Sequence, residues 1–272
     1  MKTLHLHIGL GKTGTSALQT WLALNRGSLV RAKYCYPDLV DLHDAEQGKP
    51  TRGNGLELAL ALKAPGGSAM PKQQTPVLQA AESFLSSVSS EPAAVSNAVV
   101  SSETLQFFDP ARLCEFALEL KRSGWRTRLI CFVRSCRPFY ISTWLQHVEV
   151  FDHDKGLEDI LTRFAGLQMD VMSRLDAVTD AVDETLVFNY DEAQKDICSF
   201  FLSKALGLAD VPTELGVFKR VNPSLSLEHS GVPLHQRLLK TPVDPILKRF
   251  KGVFVREAAV VNRKVSGKPI VG

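Results

Sequence analysis

The sequence predicts an α/β fold with a mostly parallel central sheet flanked by helices, and three observations predict it. Apolar runs at residues 3–8, 97–101, 128–133 and 186–188 are short, nearly continuous and closed by a polar or turn residue, as strands buried on both faces are. Between them lie longer stretches with apolar residues at helical spacing, so strand and helix alternate along the chain. The first run also passes through Gly9-Leu10-Gly11-Lys12-Thr13-Gly14-Thr15 directly into a helical pattern. That strand–loop–helix order places ligands at the carboxyl end of the sheet.

Taken in order, residues 13–26 carry Leu18, Trp21, Leu22 and Asn25 on one helical face. Helices are expected at 110–123, at 138–150 with Pro138 in the first position, at 157–178 with a break, and at 191–206. The interval 27–92 is too long for one crossover; it contains a Leu/Ala-rich helix near 56–63 and a Pro/Gly/Ser-rich loop at 63–76. We read it as an insertion over the ligand-bearing edge of the sheet. The segment 240–272 sets eight basic residues, Lys240, Lys248, Arg249, Lys251, Arg256, Arg263, Lys264 and Lys268, against Asp244 and Glu257. It reads as a helix with a solvated basic face, or as a cover for an anionic ligand.

Composition sets the outer limits. With 272 residues, 44% hydrophobic and 22% charged, the chain is long enough for one α/β domain. Its 32 Lys and Arg nearly balance 29 Asp and Glu, so no whole-surface nucleic-acid binding is expected and any anion site must be local. Apolar stretches fall far short of the roughly 20 residues that span a bilayer. The N-terminus alternates like a strand rather than a secretory leader, and Cys35, Cys114, Cys131, Cys136 and Cys198 are odd in number with no Cys-x-x-Cys pair. A cytoplasmic protein without structural zinc is expected. His5 and His7 share a strand face two residues apart, but no third ligand is spaced near them, so no metal site is expected.

The glycine loop has the parts of an anion cradle: glycines that free the backbone, successive N–H groups, a helix start, Lys12, and the hydroxyls of Thr13, Thr15 and Ser16. The nucleotide-kinase pattern Gly-x-x-x-x-Gly-Lys-[Ser/Thr] requires a glycine where this chain has Leu6. The dinucleotide pattern Gly-x-Gly-x-x-Gly is set aside because position 12 is lysine and the third glycine, Gly14, is read as falling one position early. A second element stands apart from the first: Arg134 closes the 128–133 run, and Ser142 follows eight residues later inside a helix. An arginine at a strand end and a hydroxyl two turns into the next helix can converge on one phosphate.

The run from His7 through Gly9-Leu10-Gly11-Lys12-Thr13-Gly14-Thr15-Ser16 to Gln19 resembles the 5′-phosphosulfate loop of PAPS-dependent sulfotransferases, particularly the soluble bacterial ones. Arg134 with Ser142 resembles the 3′-phosphate motif of the same family. Residues 185–191 and the helix after them resemble its late strand and helix, and residues 218–224 resemble the basic segment that closes over the 3′-phosphate. The likeness is patchy and spans about residues 3–225. It implies a P-loop NTPase-like sulfotransferase fold and transfer of a sulfuryl group from 3′-phosphoadenosine 5′-phosphosulfate (PAPS, leaving PAP) to a hydroxyl or amine of a glycan or small molecule. It further implies that Gly11, Lys12, Thr13, Gly14, Thr15 and Ser16 hold the 5′ end, and that Arg134, Ser142, Lys219 and Arg220 hold the 3′-phosphate.

Sulfuryl transfer needs in-line placement and charge stabilisation more than covalent work by the protein. Lys12 suits the departing phosphate oxygen. Glu103, just past the 97–101 strand, is the expected base, since the family uses Glu or His there; His43, Arg52 and His147 are candidates for acceptor contact. Two other readings stay open: a P-loop kinase using ATP and Mg²⁺, and a non-catalytic nucleotide-binding module that kept the cradle.

Overall fold

The computed structural model describes residues 1–39, 42–47, 53–64, 75–151, 156–208 and 243–272. Six parallel strands form one sheet in the order β2-β3-β1-β4-β5-β6. They are β1 (Lys2–Ile8), β2 (Tyr34–Cys35), β3 (Asn97–Ser102), β4 (Trp125–Val133), β5 (Glu184–Asn189) and β6 (Val265–Ser266). The helices are α1 (Thr15–Leu24), α2 (Arg26–Arg31), α3 (His43–Glu46), α4 (Leu56–Leu62), α5 (Val77–Ser89), α6 (Pro110–Arg122), α7 (Cys136–Phe151), α8 (Leu157–Phe164), α9 (Leu167–Ala177), α10 (Tyr190–Ala193), α11 (Ile197–Phe200) and α12 (Val243–Val261). A 3₁₀ turn covers Glu103–Phe107 and a π turn covers Phe201–Ala205.

Side-chain parity along the strands divides the core in two. Leu4, Leu6 and Ile8 point with Ala98, Val100, Leu129, Cys131 and Val133 into the layer of α4 to α9 and α12. Val99, Ile130, Phe132 and Phe188 point the other way, against α1, α2, α11 and the π turn. His5 and His7 share that second face. His7, fully buried between Phe132 and Phe201, has its Nδ1 2.8 Å from the Ser101 hydroxyl.

Local chemistry sets the element ends. Pro110 opens α6 behind Asp109, whose carboxylate accepts from the Arg112 N–H. The break expected in 157–178 falls at Gly166, whose φ of 96° is left-handed, and separates α8 from α9. Three expectations change. Helix α7 starts at Cys136, with Pro138 inside its first turn, where a missing N–H costs no helical bond. The 191–206 helix is α10, α11 and a π turn, because the Asn189 and Asp196 side chains each cap a new start. The 27–92 interval also supplies β2 to the sheet edge and α5 to its flank, where Phe84 meets Phe116 and Trp125. Among the described residues no helix is long and apolar enough to cross a membrane.

Candidate functional site

The chain leaves β1 toward β2 and β3 on one side, and continues from β4 to β5 and β6 on the other. The sheet therefore has its topological switch between β1 and β4, and open α/β sheets bind ligands in the crevice outside the carboxyl ends at such a point. Ile8 lies between Ser102 of β3 and Cys131 of β4. The residues just beyond, Glu103 after β3, the glycine loop after β1, Arg134 after β4 and Tyr190 after β5, meet along this edge.

The loop between β1 and α1 folds on itself. Lys12 has φ 67° and Gly14 φ 73°, two left-handed residues on either side of Thr13. A left-handed lysine is held against its own sterics, and alternating backbone of this kind turns successive N–H groups toward one point. The Leu10 carbonyl accepts from Thr13 Oγ1 at 2.6 Å and from Thr15 Oγ1 at 3.3 Å. Both threonines are buried and brace the loop with their hydroxyls, and Ser16 stands on the half-buried start of α1.

The glycines divide by cause. A Cβ on Gly9 would lie 2.6 Å from Thr15 Cγ2, and one on Gly14 would lie 2.9 Å from the Tyr190 ring. Gly11 needs neither positive φ nor internal space: a Cβ there meets no described atom within 4 Å. Among the described residues the space over Gly11 is open.

Arg134 stands on the far side of the crevice, its side chain 19% exposed. Its Nη1 donates to the Lys12 carbonyl at 3.3 Å, its Nε lies 3.5 Å from Asp191 Oδ1, and its guanidinium sits over the Tyr190 ring at 5.4 Å. Asp191 Oδ2 also accepts from the Ser135 N–H at 3.0 Å. On the near side, Ser102 caps the 3₁₀ turn that Glu103 opens. Burial pushes the Glu103 carboxyl above the usual carboxylate range while the Lys12 ammonium pulls it down. Lys12 is thus coupled to Glu103 on one side and, through its carbonyl, to Arg134 on the other.

Of the remaining sequence candidates among the described residues, Ser142 and His147 lie on α7, the helix that follows Arg134, and His43 lies elsewhere. Ser142 is half-buried on α7. His147, five residues on, lies about 140° around the helix and packs on Phe164 of α8 at 5.2 Å. His43 is exposed on α3, with its ring 2.7 Å from Gln47 Nε2. Arg52, Lys219 and Arg220 lie outside the described residues, as does Lys240 of the basic segment. Most of that segment forms α12, whose buried face packs on α7, α8 and α9, and its Arg249 and Lys264 pair with Glu158 and Asp176. An open polar cleft of about 870 Å³ along α5, lined by Arg26, Asp38, Glu82 and Glu91 among others, shares no residue with the crevice.

Three residues that sequence reasoning does not single out as site residues take part. Tyr190 and Asp191 carry a signal, a polar pair closing a central strand. Gln168, whose side chain clamps the Arg134 backbone, carries none. One sequence argument is corrected. Gly9, Gly11 and Gly14 do have the spacing Gly-x-Gly-x-x-Gly, because the intervening positions accept any residue, Lys12 included. The spacing does not separate the two loop types; the strand order does. In the dinucleotide fold the second strand lies beside the first, whereas here β3 stands between β2 and β1.

The sequence matches no protein-family model and no curated protein. The structure is similar to the crystal structure of a sulfotransferase from Alicyclobacillus acidocaldarius, with a TM-score of 0.51 and 10% identity over 97% of this chain and 95% of that one. The chain has the sulfotransferase fold. A second solved structure, retinol dehydratase in complex with androsterone and inactive cofactor PAP, aligns over 100% of this chain and 73% of that one at 14% identity. Its TM-score of 0.34 is too low to establish a common fold.

Proposed function

We propose that the protein is a PAPS-dependent sulfotransferase acting on a hydroxyl or amine of a glycan or small molecule. The observation that carries this reading is the convergence of Lys12, Glu103 and Arg134 at the switch point of a sheet with the sulfotransferase fold. The loop N–H groups, Lys12 and Ser16 hold the 5′-phosphosulfate over Gly11, and Arg134 with Ser142 holds the 3′-phosphate. The open face over Gly11 and the paired cations suit a bis-anionic nucleotide.

In the transfer, the acceptor oxygen or nitrogen forms a bond to sulfur as the bond from sulfur to the 5′-phosphate oxygen breaks. The acceptor's proton passes to the Glu103 carboxylate, whose affinity for it is raised by burial. Lys12 offsets the negative charge that gathers on the departing phosphate oxygen. The acceptor enters on the β3 side, where Glu103 stands and Asn54 of the inserted segment is bonded to Val99 and Ser101.

Calorimetric titration with PAP, with ATP·Mg²⁺ and 5′-AMP beside it, tests the assignment. Wild type binds PAP in the micromolar range, and Arg134→Ala weakens that binding by about 2 kcal/mol, roughly thirtyfold, the scale of a lost charge-assisted contact. Binding of ATP·Mg²⁺ without PAP overturns the reading in favour of a kinase. Binding of PAP with no turnover on any hydroxyl or amine acceptor reduces the protein to a nucleotide-binding module.

A further inference from the structure

We propose that Gln168 is a positioning residue for the 3′-phosphate arginine, and that the buried carboxylate of Glu257, 89 residues further along the chain, sets Gln168 in place. The inference rests on the reading of Arg134 given above. Arg134 lies one residue past the last paired position of β4, Val133, which matches Asn189 of β5. Its own backbone groups therefore have no strand to pair with. The Gln168 amide supplies the missing strand edge: Arg134 N–H donates to Oε1 at 2.8 Å, and Nε2 donates to the Arg134 carbonyl at 2.9 Å. Both ends of one fully buried amide are spent on the backbone of a single residue. This fixes the peptide planes on both sides of Arg134, and with them the direction in which its side chain leaves the sheet.

Gln168 is held in turn. It is the second residue of α9, and Gly166, the residue before that helix, has no side chain to cap it. Glu257 of α12 takes the part, accepting from the Gln168 N–H at 2.9 Å. The same carboxylate accepts from the Tyr140 hydroxyl at 2.7 Å and from the Cys136 thiol at 3.5 Å, and the Tyr140 oxygen accepts from the Gly166 N–H at 2.9 Å. Tyr140, Cys136 and the Gln168 N–H each aim a proton at it; burial raises its pKa, and these hydrogen bonds work against that rise. A chain of direct contacts thus runs from α12 through the first turn of α9 to the Arg134 backbone. None of these groups faces the crevice; they act through Arg134.

A positioning role differs from mere stabilisation in its ligand dependence. The test measures binding of PAP and of adenosine 5′-phosphosulfate, which lacks the 3′-phosphate, to wild type, Gln168→Leu, Arg134→Ala and the double variant. The inference expects Gln168→Leu to raise the Kd for PAP at least tenfold while adenosine 5′-phosphosulfate changes less than twofold. The double variant should bind PAP no more weakly than Arg134→Ala alone. Gln168→Asn, one methylene short of spanning both backbone groups, repeats the comparison with smaller disturbance of the core. Glu257→Gln, which keeps shape but puts an amide NH₂ donor where a carboxyl oxygen accepts, should weaken PAP severalfold with the same selectivity. If Arg134→Ala leaves PAP binding unchanged, the assignment of Arg134 itself fails. If Arg134→Ala weakens PAP while the Gln168 variants do not, or weaken both ligands equally, the positioning role is overturned.

Discussion

The two halves of the crevice are built in opposite ways. The half at the end of β1 is held by its own sequence: the hydroxyls of Thr13 and Thr15 reach back three and five residues to Leu10, and the left-handed turns at Lys12 and Gly14 lie within the same short segment. The half around Arg134 is held by Gln168 and Lys12, 34 and 122 positions from Arg134, and by Asp191, 56 positions from Ser135. The Val271 backbone adds bonds to Ser135 and Cys136. A self-bracing loop can form as soon as its strand and helix do, whereas the Arg134 half exists only once α9, β5 and the C-terminal segment have packed. On the proposed function, the fold separates the place where charge is moved from the place where the nucleotide is sorted, and the two should fail separately.

The largest expected effect tests that separation at Glu103, which belongs to neither support network. Glu103→Gln should lower kcat by about 10²–10⁴-fold, the range of a positioned general base, with the Kd for PAP unchanged. A parallel loss of PAP affinity would place Glu103 among the residues that build the cradle. The pH profile supplies the sign. A base must be deprotonated, burial raises its pKa, and the wild-type rate should therefore climb with pH through a midpoint above the ordinary carboxylate value. That limb should be missing from the variant's residual activity.

Next in size is the response of the sheet beneath the loop to acid. Burial holds the His7 imidazole down to about 3 and that of His5 to about 4, against 6.5 when free. Between those values the unfolded chain binds protons that the folded chain refuses, so stability rises with pH across the window and is lost as pH falls below 6.5. At pH 5 each histidine removes about 2 kcal/mol of the stability present at pH 7. Thermal melts across this range should show it, and His7→Asn should flatten about half of the slope. A slope unaltered by that substitution would mean that other groups carry the acid transition.

The same contrast governs what can be read from the chain. Parity along β1, the glycine turn, the alternation of strand and helix, and the strand-end positions of Glu103 and Arg134 all depend on neighbours within a few residues, and all are legible in the sequence. Strands β2 and β6 are not, because a two-residue edge strand such as Tyr34–Cys35 is defined by its partner rather than by its own pattern. The loop threonines are legible as hydroxyls but not as braces, since the direction of Thr13 Oγ1 follows from the turn at Lys12. Gln168 is illegible altogether: a glutamine near a helix start has no periodic signature, and its role arises only when α9 meets the end of β4. Glu257, one of two acids in a basic segment, reads as surface charge, yet packing buries it completely.

The smallest effect separates the two designs most cleanly. Thr13→Val keeps the shape of a buried side chain and removes its bond to the Leu10 carbonyl, which retains the Thr15 hydroxyl. The expected loss is about 1 kcal/mol of stability, because one acceptor keeps a partner and no buried group is stranded. Ligand selectivity should stay unchanged, unlike that of the Gln168 variants: adenosine 5′-phosphosulfate and PAP should weaken equally, since both use the 5′ half. Parallel titrations of the two ligands with Thr13→Val read this directly. A loss confined to PAP would show that the loop and the Arg134 side behave as one unit through the Lys12 carbonyl, and the division into a local and a long-range half would have to be given up.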